Sequence, residues 1–347
     1  MKKKLIWTGV GILGLLGLGL GWAGWGTYRV YRYFEQRLAV PPRELVETAV
    51  KVARENRLEE RDWYYLLVLG LDPRDDELEK TQTTDTIMVA GVNMNTAEVR
   101  LISIPRDLWL IEEKYKINRL YMEKGDKGLK WVRERMSKLV GVEIDRTVVV
   151  KTKNLIDLVG MVGGVEVDMP EKLVDFEYPN PEYVKNPKKG VPMYIRIEYP
   201  AGKQVIDETN VEPFVRSRKA SGDNGTDLGR IKRQQMLLEA IVAKLTGQGS
   251  VLTVDKMIEM VNYWEREVEK DMDWKDIFEV GWRMREVVSK VKLTALTVPV
   301  GERKGEGAIY YPGYLVGGQW VFLPSDGNYE VLRKFFEINM TSLENRI

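Results

Sequence analysis

Three lysines, Lys2 to Lys4, stand directly before an uncharged apolar run from Leu5 to about Thr27. That run meets the roughly 20 residues a helix needs to cross the hydrocarbon of a bilayer. No other feature narrows the possible architectures as much, because everything after it must be a body tethered to a membrane at its N-terminus. Trp7 near one end, and Trp22, Trp25, Tyr28 and Tyr31 near the other, are spaced as interfacial aromatic belts. A cleaved signal peptide shares the basic start and apolar centre. The run is long for a signal core, however, and no Ala-x-Ala site follows, which favours a retained anchor. Charge alone does not orient it, since Arg29, Arg32 and Arg37 beyond the run offset the lysines before it. A short N-terminus ahead of a large polar body fits an N-inside anchor.

The chain as a whole has the composition of a folded protein: of 347 residues, 44% are hydrophobic and 30% charged. Its 53 Lys and Arg nearly cancel its 52 Asp and Glu, so there is no global positive field to collect nucleic acid, and an anion site must come from local clustering. The chain contains neither Cys nor His. Disulfides, thiolate nucleophiles and Cys-ligated zinc are therefore excluded, as are imidazole bases, Ser-His-Asp catalysis and His-ligated zinc. Chemistry falls to carboxylates, hydroxyls, Lys, Arg or a hard metal ion.

Residues 28–62 are charged, broken by Pro41-Pro42 and followed by a predicted helix from Glu44 to Asn56, so they read as a stalk. The chain then divides into a short cytoplasmic N-terminus and anchor (1–27), a stalk (28–62) and a body (63–347). In the body, Tyr64–Gly70, Thr86–Val92 and Val99–Ile104 are predicted strands, the last two joined as a hairpin by the turn-forming Asn93–Glu98. Helices are predicted over Leu129–Leu139, Leu155–Met161, Gly229 to about Leu245, Val254–Glu269, Trp274–Val288 and Asp326 to about Ile338, with strands at Val165–Val167 and Leu293–Val298. This alternation specifies an α/β fold. The proline-rich Tyr178–Pro200 reads as an extended excursion, either a rim or lid or an inert insertion.

Candidate chemistry gathers at predicted strand ends, where α/β folds place ligands. Gly70-Leu71-Asp72-Pro73-Arg74 ends one strand in a glycine turn, and Asp85 precedes the next. Asp72 and Asp85 suit a magnesium ion, which takes one or two carboxylates with water and substrate phosphate, or serve as ordinary turn-forming acids. Ser103-Ile104-Pro105-Arg106-Asp107 delivers an arginine fork from a stiff strand end. Arg216 and Arg218 share a face if extended. With Asp227 as the cap of the next helix, Arg230 and Gln234 lie on one face near its positive end.

Together GLDPR, TDTIMV, LISIPRD, Lys116-Ile117-Asn118, LVGMVGGVEV, FVRSRK and DLGRIKRQQ resemble, in order, the LytR-CpsA-Psr family of cell-wall ligases, from about Tyr64 to Leu245. The resemblance implies a three-layer α/β/α sandwich with a central mixed sheet behind one transmembrane helix, with the catalytic domain extracytoplasmic at the cell membrane. It implies transfer of teichoic acid, capsule or related glycans from a polyprenyl-pyrophosphate carrier to a peptidoglycan acceptor. By the matched motifs, Asp72 and Asp85 would hold Mg²⁺, while Arg106, Arg216, Arg218 and Arg230 would clamp the pyrophosphate. Arg233 and Gln234 come from the same motif, with a binding or a supporting role open to each. Many relatives carry an arginine where Thr83 stands here, which leaves Arg74 or Lys80 to supply that charge. With no His, the acceptor proton goes to Asp72, Asp85 or Asp227, or to solvent or phosphate. A pyrophosphatase using water as acceptor, and an anchored non-catalytic glycan binder, are the rival readings. No nucleic-acid partner is expected.

Overall fold

The computed structural model describes residues 32–55, 61–71, 83–187, 190–246, 253–284, 287 and 290–340. The anchor expected over residues 5–27, together with Asp72, Arg74 and Lys80, lies outside them. Among the described residues no helix is long and apolar enough to cross a membrane. The body, expected as one domain, divides into two compact units, Met1–Val150 with Leu252–Ile347 and Lys151–Val251.

The first unit is built on a six-stranded sheet of β1 (Trp63–Leu71), β2 (Thr84–Asn93), β3 (Glu98–Ser103), β4 (Arg146–Lys151), β5 (Glu269–Lys270) and β6 (Lys292–Thr297), in the order β5-β4-β1-β2-β3-β6. β1, β2 and β3 run antiparallel and β6 joins β3 in parallel, so the sheet is mixed. The strands form because their side chains suit burial at period two. Trp63, Tyr65, Leu67, Leu69 and Leu71 enter one core with Val132 and Met136 of the helix Gly128–Val140 and Leu332 and Phe336 of the helix Glu330–Met340. Tyr64, from the alternate set, clusters instead with Met94, Ala97 and Met284. The predicted hairpin is present: Asn93 Oδ1 accepts the backbone N–H groups of Asn95 and Thr96, and Ala97 takes a left-handed φ of 60°.

The stalk reading is corrected over its described part. The helix Pro42–Glu55 buries Leu45 and Val52 and packs against Trp274–Met284. The preceding segment is tied to the helix Val254–Glu267: Ala39 N–H donates to Asn262 Oδ1 at 2.6 Å, and Arg37 pairs with Asp255. An apolar face on this helix needs a partner, and the body supplies it. The last helix starts at Glu330 rather than near Asp326, because the Asp326 carboxylate accepts the N–H groups of Asn328, Tyr329 and Val331 and so acts ahead of the helix.

In the second unit, Val165–Met169 pairs antiparallel with Gly202–Ile206, and the long helix Asp227–Thr246 packs over them through Leu237 and Ile241. The predicted Gly163-Gly164 turn ends the helix Thr152–Met161: both glycines have φ near 70°, and a Cβ on Gly164 would stand 3.2 Å from the Ile206 carbonyl. The excursion over Tyr178–Pro200 is more regular than expected. Leu173–Pro179 and Tyr194–Tyr199 form an antiparallel pair, and Pro181 opens a single helical turn. Val132, Met136 and Val159 of the helices predicted over Leu129–Leu139 and Leu155–Met161 are buried in the cores.

Candidate active site

In the first unit the site grows from the β2–β3 hairpin. Met88 pairs with Ser103 at the end of its ladder, and Ile104 N–H donates onward to Ile87 O at 2.9 Å. Asp85 stands three residues before Met88 and Arg106 three after Ser103, so the same register brings them opposite. Arg106 Nη1 donates to Asp85 Oδ1. Asp85 is the second residue of β2 rather than a residue ahead of it. On the other side of the fork, Arg106 Nε lies 3.7 Å from Asp107 Oδ2, and Lys116 Nζ donates to Asp107 Oδ1 at 2.6 Å. Asp85, Arg106, Asp107 and Lys116 thus alternate in sign, and each holds the next in place.

The backbone fixes this chain of charges. Asn118 N–H donates to Arg106 O at 3.3 Å and Ile117 N–H to Leu108 O at 2.7 Å, while Thr84 Oγ1 donates to Asn118 O at 3.2 Å. Lys116-Ile117-Asn118 is therefore stitched to both strand ends. Gly70 does not begin a turn as expected, since β1 continues through Leu71 with a bulge between the two. Gly70 opposes Thr86, where a Cβ would come 2.7 Å from Thr86 Cβ. The glycine allows the strands to close beside Asp85.

The second unit carries the other arginines. Arg216 ends the helix Val211–Arg216 and pairs with Glu212, so the extended backbone on which a shared face with Arg218 depended is not met at Arg216. Ser217 then turns extended, at φ −54° and ψ 135°, and Arg218 follows in the loop. Asp175, buried, accepts Ser217 Oγ–H at 2.7 Å and Lys219 N–H at 3.3 Å, which sets the loop's course. Arg233, also buried, donates from Nε to Phe214 O at 2.8 Å and from Nη2 to Ser217 O. Gln234 Nε2 reaches Val215 O at 3.4 Å. Burial first, then the like charge of Arg230, pull the Arg233 guanidinium down to about 10, with Asp175 opposing. These contacts give Arg233 and Gln234 supporting roles for the segment that bears Arg216 and Arg218.

The cap of the long helix is Thr226, whose Oγ1 accepts Gly229 N–H at 3.0 Å, and Asp227 is the first helical residue, its side chain outside what the structure describes. Arg230, buried, sits one turn into this helix, where free N–H groups and the macrodipole favour an anion.

Among the described residues no group of three or more carboxylates is gathered to hold a metal. The donor chemistry nonetheless suits magnesium, which takes as few as one or two carboxylates. Asp85 offers hard oxygens, and Leu71, after which Asp72 follows in the chain, pairs with Thr84 next to Asp85.

The LytR_cpsA_psr family model matches residues 38–315. The chain belongs to the LytR_cpsA_psr family. Within that family it is 22% identical over 292 residues to the polyisoprenyl-teichoic acid–peptidoglycan teichoic acid transferase TagU of Bacillus licheniformis, covering 84% of this chain and 85% of that protein. Its fold matches the crystal structure of Bacillus subtilis TagV with a TM-score of 0.57 at 20% identity, over 81% of this chain and 98% of that one. TagT bound to LIIa-WTA aligns with a TM-score of 0.54 at 16% identity, over 81% and 91%. The α/β fold with its central mixed sheet is thus that of the LytR_cpsA_psr family.

Reading the sequence missed the residues that orient others. Asp107 and Lys116 lay inside the family motifs, and the only local signal was the carboxylate of Asp107 directly after Arg106. Asp175 and Thr226 lay outside every motif, and only the ordinary preference of Thr for helix caps pointed to Thr226.

Proposed function

We propose that this LytR_cpsA_psr family chain is a membrane-anchored, extracytoplasmic phosphotransferase that moves a glycopolymer from a polyprenyl-pyrophosphate carrier to a sugar hydroxyl of peptidoglycan. The observation that carries the reading is the Asp85–Arg106 pair, a guanidinium locked at a strand end between two carboxylates. It occurs in a chain whose relatives include a teichoic acid transferase named for both a polyisoprenyl-linked donor and a peptidoglycan acceptor. The anchor rests on the length and flanks of the apolar run over residues 5–27.

Phosphoryl transfer asks little covalent work of a protein, and positioning plus charge stabilisation supply most of the rate. The acceptor hydroxyl attacks the glycan-proximal phosphorus. Its new P–O bond forms as the bond to the bridging oxygen breaks, and the polyprenyl phosphate leaves with that electron pair. Arg106 meets the oxygens that gain charge, and Asp107 and Lys116 keep its fork aimed. Magnesium, when bound, neutralises pyrophosphate oxygens, with Asp85 and Asp72 as the residues that would hold it. In the second unit, Arg216, Arg218 and Arg230 offer further guanidinium groups for anionic oxygens. The proton of the acceptor passes to an aspartate that does not hold the metal, or to solvent or phosphate.

The test is to incubate the purified full chain with a polyprenyl-pyrophosphate-linked glycan and Mg²⁺, with and without peptidoglycan. Glycan covalently attached to peptidoglycan supports the reading. Release of glycan phosphate regardless of acceptor makes the chain a pyrophosphatase, and retention without turnover makes it a binder.

A further inference from the structure

Beside the strand end that carries Arg106, the segment 311–320 (YPGYLVGGQW) is an uncharged hairpin in a chain in which 30% of residues are charged. Val316 and Gln319 exchange both backbone hydrogen bonds at 3.0 Å around Gly317 and Gly318, whose φ of 56° and 75° are those of a type I′ turn. The aromatic rings of the hairpin pack on one another and on the core. Tyr311 and Trp320 stack with ring centres 5.1 Å apart, and Trp320 packs edge-on against the buried Phe322 at 4.6 Å. Yet Tyr314 and Leu315 at its tip are each 60% exposed, and Trp320 is 41% exposed. Ordered aromatic area left in water at this density marks a binding surface.

Its position says what it would bind. Phe322 N–H donates to Asp107 O and Trp109 N–H to Phe322 O, both at 2.9 Å, so the hairpin hangs by its backbone from the residues directly after Arg106. Tyr329 Oη–H donates to Trp109 O at 2.8 Å and accepts Ile111 N–H at 2.8 Å, fixing the same strip. A surface continuous with the reacting strand end is placed to receive the acceptor. A pyranose ring offers a face of C–H groups with slight positive charge, which stacks on the negative face of an aromatic ring. A lipid surface fits less well. The flanking Glu302, Arg303, Lys304 and Glu306 carry no net positive charge to draw the hairpin to anionic headgroups.

We propose that the Tyr311–Trp320 hairpin is an aromatic platform that holds the glycan strand of the acceptor beside Arg106. The proposal rests on the transferase reading for the identity of the acceptor, but its binding step stands apart from turnover.

The full chain in detergent is mixed with peptidoglycan sacculi stripped of other polymers, with a soluble N-acetylglucosamine tetramer, and with vesicles of phosphatidylcholine and phosphatidylglycerol. Trp320→Ala and Tyr314→Ala are compared with wild type. Tyr314 lies at the exposed tip, so its variant keeps the test sound if Trp320→Ala perturbs the fold. The expected result is about a tenfold loss of affinity for sacculi and tetramer in both variants, about 1.4 kcal/mol, with Trp320→Phe recovering part of it. In a transfer assay, the KM for acceptor rises by a similar factor. Unchanged glycan affinity in both variants overturns the proposal, as does a loss seen with vesicles and not with glycan. A wild-type chain that binds glycan through these residues and transfers nothing sinks the transferase reading and leaves the platform intact.

Discussion

Asp85 and Arg106 are joined because the β2–β3 hairpin counts residues for them. The ladder ends where Met88 pairs with Ser103, and three residues further along each chain the carboxylate and the guanidinium come into contact. Two motifs that look independent in the sequence are therefore one structural unit. Their spacing is set by the turn between the strands rather than by either motif alone.

Arg106 serves two carboxylates with one planar group, and a lysine ammonium cannot span both. Arg106→Lys should therefore behave almost as Arg106→Ala, lowering kcat for glycopolymer transfer by about 10²–10³-fold, the usual effect of removing an oriented charge-stabilising donor. A variant with near-wild-type transfer would remove Arg106 from the reaction.

If Asp85 and Asp72 hold magnesium, chelation should stop transfer and added Mg²⁺ should restore it. Asp85→Asn keeps the shape and a carbonyl oxygen but loses the charge. It should shift the Mg²⁺ concentration for half-maximal activity upward by at least about tenfold. Activity indifferent to chelator would show that the arginines and lysine act alone.

Gly70 faces Thr86 across the ladder, one residue from Asp85, with a would-be Cβ only 2.7 Å from Thr86 Cβ. Gly70→Ala must push the start of β2 aside, at a cost of about 1–3 kcal/mol by the usual scale of overpacking. Transfer should fall with it. Removing the opposing Cβ in Gly70→Ala/Thr86→Gly should recover part of both losses, and a double-mutant cycle measures that coupling. Strict additivity would mean the contact is not what confines this position to glycine.

Much of this was legible in the sequence where local chemistry and long-range packing agree. The hairpin over Thr84–Ser103 follows from two apolar runs and a turn-rich connection, and the structure moves its ends by a few residues at most. Arg106 and Asp85 could be singled out because strand ends collect ligands. What could not be read were partners distant in sequence. Nothing in Phe214–Lys219 announces that Asp175 and Arg233 shape it, and nothing in Pro42–Glu55 tells a stalk from a docked helix until Trp274–Met284 is in place. Arg216 shows the limit of a conditional argument: the shared face required an extended segment, and one helical turn removed the condition.

The Asp326 carboxylate stands before the last helix. Burial pushes it up, but the N–H groups of Val331, Asn328 and Tyr329 outweigh this and hold it below its usual 3.8. A carboxylate with a depressed folded-state value stabilises the fold fully above its unfolded value and loses that contribution as pH falls through the folded one. Asp326→Ala should therefore lower stability by about 1 kcal/mol at neutral pH, as helix caps do. The gap between variant and wild type should close below pH 3.8, in denaturant melts across that range. A gap that persists in acid would assign the effect to packing.

Arg233 makes the opposite case, a buried cation held for its geometry. Its depression to about 10 leaves it charged at neutral pH, so the fold bears the cost of burying that charge near Arg230. Because the folded value is below the unfolded one, that cost is complete below about pH 10 and is lifted only as pH climbs beyond it towards the ordinary arginine value. Arg233→Met removes the cost and at the same time strips Phe214 O and Ser217 O of a buried donor, each loss worth about 1–3 kcal/mol. The two effects oppose each other, so net stability should change by less than about 2 kcal/mol, while the segment from Phe214 to Lys219 loses its brace. Amide exchange at Ser217 and Lys219 should accelerate, and transfer should fall about tenfold through loss of alignment at Arg216 and Arg218. Slow exchange with full activity in Arg233→Met would show that Asp175 alone holds the loop.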